Sequence, residues 1–323
     1  MYRKFKKFGL VAVTSIMFGG CIKHIDLYLK NDCRMACKKK NKKEGLLRKI
    51  INPFLEIFDD YEKRTLYLKS DSTLEELVNG KNYRDKVRIK FYGTFGGFIG
   101  PLREYFLKDL VEMAIIYKDD VLLLDAGSID VVCDREVFNE IDAILISHIH
   151  FDHIWHLYGV YKNLRKEGKE VKIYSPQKVP FWNLAKNVST NIPKKIKSFE
   201  IEYIETKHDI KCYAYKIKVN GKVIGYTGDT AYFEELADFF KDADVIITEA
   251  SLLEKPRYID EKMGIFNRHM SPQSVIKLAK KANPKLIVLT HFNNLSPKKF
   301  KKAVEKEFER VIYATNGLEL IID

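Results

Sequence analysis

Cysteine is scarce in this chain of 323 residues, which holds five of them. They are too few and too scattered for a disulfide framework. Their positions are Cys21, Cys33, Cys37, Cys133 and Cys212. Cys33 and Cys37 lie four residues apart, but no second Cys or His pair lies near them to complete a structural zinc site. The sequence therefore predicts free thiols in a reducing environment.

An excess of charge of one sign is missing from most of the chain. The formal net charge is +12, yet residues 1–50 hold 14 Lys and Arg against three acids, so the rest is close to neutral. This balance disfavours a broad electrostatic surface for DNA or RNA, without excluding extended nucleic acid as a partner. With 46% hydrophobic and 31% charged residues, the composition is that of an ordinary globular protein.

The N-terminal segment lacks an apolar run long enough to cross a membrane. Its uncharged run, residues 8–22, has 15 residues, whereas a spanning helix needs ~20. The run follows a basic start and contains Cys21, which leaves three interpretations of residues 1–44 open. They are a cleaved signal or one lipidated at Cys21, a membrane-surface anchor, and a helix packed on the domain. We expect membrane association through residues 1–43, with a cytoplasmic protein as the alternative.

Helical periodicity is typical of the segment that follows. Apolar residues recur at intervals of three and four over residues 46–58, interrupted by Pro53. We predict helix over residues 45–80 and assign residues 45–85 to a helical extension without chemistry. From about residue 86 the pattern changes to short strands, so residues 86–323 are predicted to form the main domain.

Strands, turns and helices alternate in this domain. The pair Asn220-Gly221 between two alternating segments indicates a two-residue hairpin turn. Strands are predicted at residues 87–92, 113–117, 121–124, 143–146, 213–219, 222–227, 245–248 and 286–289, and a helix at 271–281. Strands first, then strands mixed with helices, predict an α/β fold in which two sheets lie between helical layers, an αββα sandwich.

Four candidate metal ligands lie within six residues after the buried strand 143–146. His148 and His150 are two apart, so both imidazoles can face one point in an extended segment. Asp152 and His153 follow where the chain turns into a helix. Imidazole and carboxylate ligands of this kind suit zinc. The alternative is a polar loop that is rich in histidine by chance.

The segment His148-x-His150-x-Asp152-His153 resembles the signature of the metallo-β-lactamase superfamily. Four later features match that superfamily in the expected order, and together the match covers roughly residues 86–323. They are His208 before the hairpin, Gly228-Asp229-Thr230 after it, Glu249-Ala250-Ser251 and His291. The segment His269-Met270-Ser271 is similar to the ribonuclease Z branch.

The resemblance implies a binuclear metal site. One metal would be held by His148, His150 and His208, the other by Asp152, His153 and His291, with Asp229 between them. Two zinc ions are expected, with manganese or another divalent metal as the alternative. The residues agree independently, because a carboxylate such as Asp229 at the end of an apolar strand needs a cation or donors to offset its burial.

Three residues are candidates for the chemistry itself. Asp152 would orient or deprotonate the attacking water while remaining a ligand. The resemblance implies that His269 binds phosphate or protonates the leaving group, and the alternative is that it only caps a helix. Glu249 would orient His269 or accept backbone hydrogen bonds. His156 is interpreted as a helix-surface or supporting residue, and His24 as one without a catalytic role.

The predicted function is hydrolysis of a small phosphodiester by metal-bound hydroxide. Bacterial and archaeal ribonuclease Z enzymes carry a tRNA-gripping arm between the positions of His208 and Asp229, and the hairpin fills most of that interval here. A ribonuclease Z-like RNA endonuclease is therefore the weaker alternative. Hydrolysis of a thioester, lactone or other carboxylic ester is another. A membrane-anchored binding or scaffold protein without activity is disfavoured because all seven ligand positions are intact.

Overall fold

The computed structural model describes residues that all fall in the compact unit Ile51–Asp323. It describes the backbone of residues 65–68 and residues 83–97, 110–181, 184, 186–252, 268–293 and 296–323. The expectations for residues 1–44, including a lipidated Cys21, lie outside these residues. Of the cysteines, the structure describes Cys133, which is exposed, and Cys212, which is buried, and both are free thiols.

An eight-stranded sheet forms one half of the unit. Its strands are β1 (Thr65–Leu68), β2 (Val87–Gly93), β3 (Glu112–Tyr117), β4 (Asp120–Leu124), β5 (Ile141–Leu145), β6 (Lys172–Tyr174), β7 (Val188–Ser189) and β15 (Glu319–Ile322). Their order is β1-β15-β2-β3-β4-β5-β6-β7. β4, β5 and β6 run parallel, so their carboxyl ends meet at one edge.

A seven-stranded sheet forms the other half. Its strands are β8 (Lys195–Ile196), β9 (Phe199–Glu205), β10 (Tyr213–Val219), β11 (Lys222–Tyr226), β12 (Val245–Glu249), β13 (Leu286–Thr290) and β14 (Val311–Tyr313). Their order is β14-β13-β12-β11-β10-β9-β8. The strands from β11 to β14 are parallel. β10 and β11 pair across Asn220 (φ 49°) and Gly221 (φ 73°), the two positive φ angles that the predicted turn requires.

The helices lie between or after the strands in sequence. The described ones are α1 (Arg135–Phe138), α2 (Phe151–Ile154), α3 (Leu157–Lys166), α4 (Glu234–Phe239), α5 (Pro272–Ala282) and α6 (Pro297–Glu305). Within the part of the chain that the structure describes, no helix has the length and apolar character to cross a membrane.

Two apolar clusters fix the layers. The cluster between the sheets includes Phe91 and Leu122 of the first sheet and Ile217 of the second. The other joins the outer face of the second sheet to its helices, with Phe240 following α4 and Leu278 on α5. Each such buried side chain contributes roughly 1.5–3 kcal/mol by leaving water. The predicted αββα sandwich is confirmed.

The helical prediction for residues 45–80 is wrong at β1. Thr65–Leu68 is a strand that pairs in parallel with β15, residue for residue from Thr65↔Glu319 to Leu68↔Ile322. Strand pairing with a distant part of the chain overrides local helical spacing, which sequence periodicity cannot foresee. The other residues of that prediction up to residue 80 lie outside those described.

Candidate metal centre

Consecutive short elements after β5 deliver four of the candidate ligands. The strand ends at Leu145 and places His148 just beyond its carboxyl end. His150 is extended, with φ −63° and ψ 152°, and immediately precedes α2. Asp152 and His153 lie in the first turn of that helix and are buried. The change from extended chain to helix turns these four side chains toward two neighbouring points.

The second sheet supplies the other three from its own strand ends. His208 lies in the loop between β9 and β10, Asp229 follows β11, and His291 follows β13. His291 has φ 54°, in the left-handed region that a residue with a side chain rarely adopts. Such a conformation costs on the order of 1–3 kcal/mol and persists where the surroundings fix it, often at functional sites.

One group of ligand atoms consists of His148, His150, His208 and Asp229. The Nδ1 atom of His150 lies 3.1 Å from His148 Nε2 and 3.0 Å from His208 Nε2. Oδ2 of Asp229 lies 3.7 Å from His148 Nε2 and 3.9 Å from His208 Nε2. All four ligand atoms lie within 4.8 Å of one another, which lets one cation contact them all.

A second group consists of Asp152, His153 and His291. His291 Nε2 lies 3.0 Å from Asp152 Oδ2 and 3.2 Å from Asp229 Oδ2. His153 Nε2 lies 3.8 Å from Asp152 Oδ2 and 3.4 Å from Asp229 Oδ1. Asp229 therefore lies between the two groups. Its Oδ2 atom is near His148 and His208 of the first group and His291 of the second, and its Oδ1 atom is near His153.

Buried atoms without partners indicate that these groups fit metal ions. Among the described residues, His153 Nε2 and Asp229 Oδ1 are buried and make no hydrogen bond. Leaving such atoms unsatisfied costs roughly 1–3 kcal/mol each, so a native protein rarely does so without a reason. A cation between them would satisfy both, and imidazole with carboxylate is a donor set suited to zinc or manganese.

Residues without a predicted role hold the ligands in place. Asp125, fully buried, accepts hydrogen bonds from the Ser147 N–H (2.7 Å) and the Tyr226 hydroxyl (2.6 Å), and lies 2.7 Å from His153 Nδ1. Ser251 Oγ lies 2.7 Å from His291 Nδ1. These contacts orient each ring so that its other nitrogen faces the metal group. The position of Asp125 at the end of an apolar strand was the signal available in the sequence.

The proximity of carboxylates and imidazoles shifts their pKa values in the metal-free protein. Burial by itself lowers the pKa of His153, but Asp229, Asp125 and Asp152 outweigh it and raise the pKa to about 10. Burial also lowers the pKa of His291, but Asp229 and Asp152 outweigh it, and the pKa is strongly raised. The pKa of the Asp152 carboxyl is lowered because His153 and His291 outweigh its burial. Positive charge at this point is therefore strongly favoured.

His269 and Glu249 form a pair beside the second group. Nδ1 of His269 lies 3.0 and 2.9 Å from the two oxygens of Glu249. Glu249 also accepts a hydrogen bond from the Thr230 N–H at 2.7 Å, so both predicted contacts of this carboxylate occur. Burial lowers the pKa of His269, but Glu249 outweighs it and the pKa is raised. His269 does not cap α5, because Ser271 does.

The remaining predictions concern residues near the centre. His156 is 5% exposed and directly precedes α3, so the helix-surface interpretation is wrong. It belongs to none of the ligand groups found in the described residues. The interval from His208 to Asp229 holds the β10–β11 hairpin and no further helix or strand, as the spacing predicts. His24 lies outside the described residues.

Comparison with known proteins gives the family of this chain. The family model described as Beta-lactamase superfamily domain matches residues 123–292. The probable metallo-hydrolase YhfI of Bacillus subtilis (strain 168) is 27% identical over 222 residues, covering 64% of this chain and 86% of that protein. The crystal structure of YhfI, a metallo-beta-lactamase fold protein, aligns with a TM-score of 0.63 at 21% identity over 73% of this chain and 100% of that one.

Two further relatives carry nuclease and phosphodiesterase names. Ribonuclease Z of Clostridioides difficile (strain 630) is 24% identical, over 68% of this chain and 94% of that protein. The zinc phosphodiesterase ELAC protein 2 homolog of Caenorhabditis elegans is 27% identical, over 52% of this chain and 21% of that protein. The family model spans more than half of the chain. The chain therefore belongs to the β-lactamase superfamily and has the metallo-β-lactamase fold that its sequence predicts.

Proposed function

We propose that this metallo-β-lactamase-fold hydrolase is a binuclear zinc phosphodiesterase that acts on a small phosphodiester. The observation that supports it most is the convergence of seven His and Asp side chains into two adjoining ligand groups around Asp229, with His269 in a third group that shares Asp229 and His291. Two relatives are named ribonuclease Z and zinc phosphodiesterase, which favours phosphorus over carbon as the centre attacked.

The side chains around the two groups divide the work of hydrolysis. Bound zinc ions supply Lewis acidity, which lowers the pKa of water and offsets charge on phosphoryl oxygens. Asp152 stays ionised because its pKa is lowered, so it can accept a hydrogen bond from the attacking water. Its Oδ2 atom is held by the Gly97 N–H at 2.5 Å, which fixes the direction of that contact.

The Glu249–His269 pair is suited to the leaving group. Glu249 engages Nδ1 of His269, so Nε2 is the nitrogen available to the substrate. The raised pKa of His269, which Glu249 produces against the effect of burial, favours the protonated ring, and that ring can donate a proton to the departing oxygen. Carbonyl substrates such as thioesters have less need of this donor, which favours the phosphodiester.

A small substrate fits better than tRNA. Long RNA binding requires several phosphates to be neutralised by clustered Lys and Arg. Outside residues 1–50 this chain is close to neutral, and between His208 and Asp229 it has only the β10–β11 hairpin. RNA cleavage is kept as a second outcome of the test.

The test compares three substrates on the full chain. Purified protein is stripped of metal, reloaded with Zn²⁺ or Mn²⁺, and assayed with bis(p-nitrophenyl) phosphate, a thioester and a precursor tRNA. We expect metal-dependent release of p-nitrophenol, and a loss of at least about 100-fold in Asp152→Ala. The matched control Asp238→Asn removes an exposed carboxylate that pairs with Lys281, and keeps full activity. Turnover of the thioester or tRNA alone, or full activity in Asp152→Ala, would contradict the proposal.

A further inference from the structure

An ion pair lies at the open side of the candidate metal centre. The side chains of His148 and His153 are 0% exposed and that of Asp229 is 3%, whereas His150 is 36% exposed. Solvent therefore reaches the ligand groups on the side of His150. Asp209 and Arg268 flank this side, with side chains that are 32% and 40% exposed.

The carboxylate of Asp209 joins the metal ligands to the guanidinium of Arg268. Its Oδ1 atom lies 3.0 Å from His208 Nε2 and 3.5 Å from His150 Nε2. Its other oxygen, Oδ2, lies 3.2 Å from Nη1 of Arg268. The carboxylate of Asp209 thus bridges the guanidinium of Arg268 and His208 Nε2, a ligand atom of the first metal group.

The backbone holds Arg268 at this distance. Its carbonyl oxygen lies 3.2 Å from His208 Nδ1, so the ligand ring donates to the residue that carries the guanidinium. Arg268 also directly precedes His269, which is tied to Glu249. The ring of His269 lies 5.1 Å from that of His208, whose Nε2 contacts the same carboxylate as the guanidinium, so His269 and Arg268 lie near the same ligand histidine.

Charge explains why a cation is useful here. A phosphodiester that approaches between His150 and His269 passes Asp209, whose negative charge repels it unless Arg268 compensates. A guanidinium has five N–H donors in a planar fork that matches phosphate oxygens in pairs, and the contact with Asp209 leaves donors for another anion.

We propose that Arg268 binds a second phosphate of the substrate, adjacent to the scissile one, so that the preferred substrate is a diester of a diphosphate. The inference rests on the proposed phosphodiesterase function and names its substrate class. His208 Nε2 and Arg268 Nη1 lie 3.0 and 3.2 Å from opposite oxygens of Asp209, so the guanidinium lies beside the first metal group rather than in it, where it can contact a phosphate next to the scissile one. Arg268 is thus a specificity-determining residue.

The test uses two esters that differ by one phosphate. These are the p-nitrophenyl esters of thymidine 5′-monophosphate and thymidine 5′-diphosphate, assayed with the metal-loaded full chain. In Arg268→Gln we expect kcat/KM to fall for both, because Asp209 loses its partner. The ratio of kcat/KM for the diphosphate ester to kcat/KM for the monophosphate ester should fall about tenfold or more, which is the effect of losing a charge-assisted hydrogen bond. Arg310→Gln, whose guanidinium pairs with Asn283 instead, keeps the wild-type ratio.

A double variant separates substrate binding from neutralisation of Asp209. Asp209→Asn combined with Arg268→Gln removes the uncompensated carboxylate, and we expect the ratio to stay low. A ratio restored to the wild-type value would mean that Arg268 only neutralises Asp209, and would overturn the inference. An equal loss on both esters in Arg268→Gln would overturn it as well.

Binding measurements give the same comparison without turnover. By calorimetry, Arg268→Gln should raise the Kd of thymidine 5′-diphosphate about tenfold or more relative to that of thymidine 5′-monophosphate. An unchanged ratio of Kd values contradicts the role of Arg268. If the wild-type protein hydrolyses neither ester with any metal, the phosphodiesterase proposal fails. Hydrolysis of both with an unaltered preference in Arg268→Gln refutes the diphosphate proposal alone.

Discussion

Two glycines lie against ligands of the second metal group without carrying any ligand atom. A Cβ on Gly96 would overlap the ring of His291, and a Cβ on Gly127 would overlap the carbonyl oxygen of Asp152. The N–H of Gly97 donates to Asp152 Oδ2. Backbone therefore approaches both ligands more closely than any side chain allows, which explains why glycine stands at these positions.

Gly96→Ala is expected to weaken metal binding at the second group. The added methyl group forces the His291 ring away from Asp152 and Asp229, and displaced ligands typically cost 10- to 100-fold in metal affinity. Competition with a chelating dye measures this. Gly168→Ala is the control, because its φ of +77° makes the variant strained while nothing lies within 4 Å. Tight binding of two metals in Gly96→Ala would contradict the placement of His291.

The role of a single residue could be predicted where the residues next to it in sequence form a recognisable pattern. His148, His150, Asp152 and His153 follow an apolar strand, so composition and spacing identify them. Asp125 and Ser251 could not be assigned roles, because their partners are 28 and 40 residues away. Asp209 is adjacent to His208 in sequence, yet only the fold brings it to Arg268.

Helix α5 begins where it does because Ser271 caps its N-terminus. Ser271 is extended and its hydroxyl accepts a hydrogen bond from the Ser274 N–H, with proline at the start of the helix. Helix α6 begins in the same way, with Ser296 accepting from the Lys299 N–H. The two helices thus have the same kind of N-terminal cap, and the cap of α5, Ser271, lies two residues after His269.

Ser271→Ala and Ser296→Ala form a matched pair for this cap. Each is expected to lower the free energy of unfolding by about 1 kcal/mol, because an N-terminal donor loses its acceptor. Only Ser271→Ala should also lower kcat, by a few fold, since its helix start anchors the loop that carries His269. Urea unfolding and steady-state assays measure both. Equal kcat values in the two variants would show that the cap does not position His269.

Elements with strong local signals could be predicted, and those that depend on pairing could not. The β10–β11 hairpin was predictable because Asn220-Gly221 fits its turn. Helix α5 was predictable within one residue because Ser271 and Pro272 mark its start. β1 was not, because its partner β15 lies some 250 residues further along the chain.

At the scale of the whole molecule, the two sheets are joined at the metal centre by groups of opposite charge. Asp152 and His153, on the helix that follows β5 of the first sheet, face Asp229 and His291, which follow strands β11 and β13 of the second. In the metal-free protein, protons take the place of cations there, as the raised pKa values of His153 and His291 indicate. Stability without metal should therefore depend on pH.

We expect metal-free protein to lose stability as pH rises from 7 to 9. An unfolded histidine has a pKa of about 6.5, and the folded pKa of His153 is about 10. A histidine whose pKa is raised by folding stabilises the fold fully at pH values below its unfolded pKa. This contribution to stability is lost as the pH rises through its folded pKa. The pKa values of His148 and His150 are lowered chiefly by burial, so these two histidines change the stability of the protein only below about pH 6.5, outside this window.

Metal-loaded protein is the comparison. Metal competes with protons for the same nitrogen atoms and binds more tightly as they are deprotonated, so stability should hold or rise over pH 7 to 9. Thermal unfolding at several pH values, with and without chelator, measures both curves. Parallel curves for the two forms would contradict the assignment of His153 and His291 to the metal centre.

The most direct test of the central claim is the location of bound metal in a crystal of zinc-loaded protein, measured by anomalous scattering at the zinc edge. A binuclear centre predicts two peaks per chain. One should lie among His148, His150 and His208, the other among Asp152, His153 and His291, with Asp229 touching both. A single peak, no peak, or metal held by other residues would contradict it.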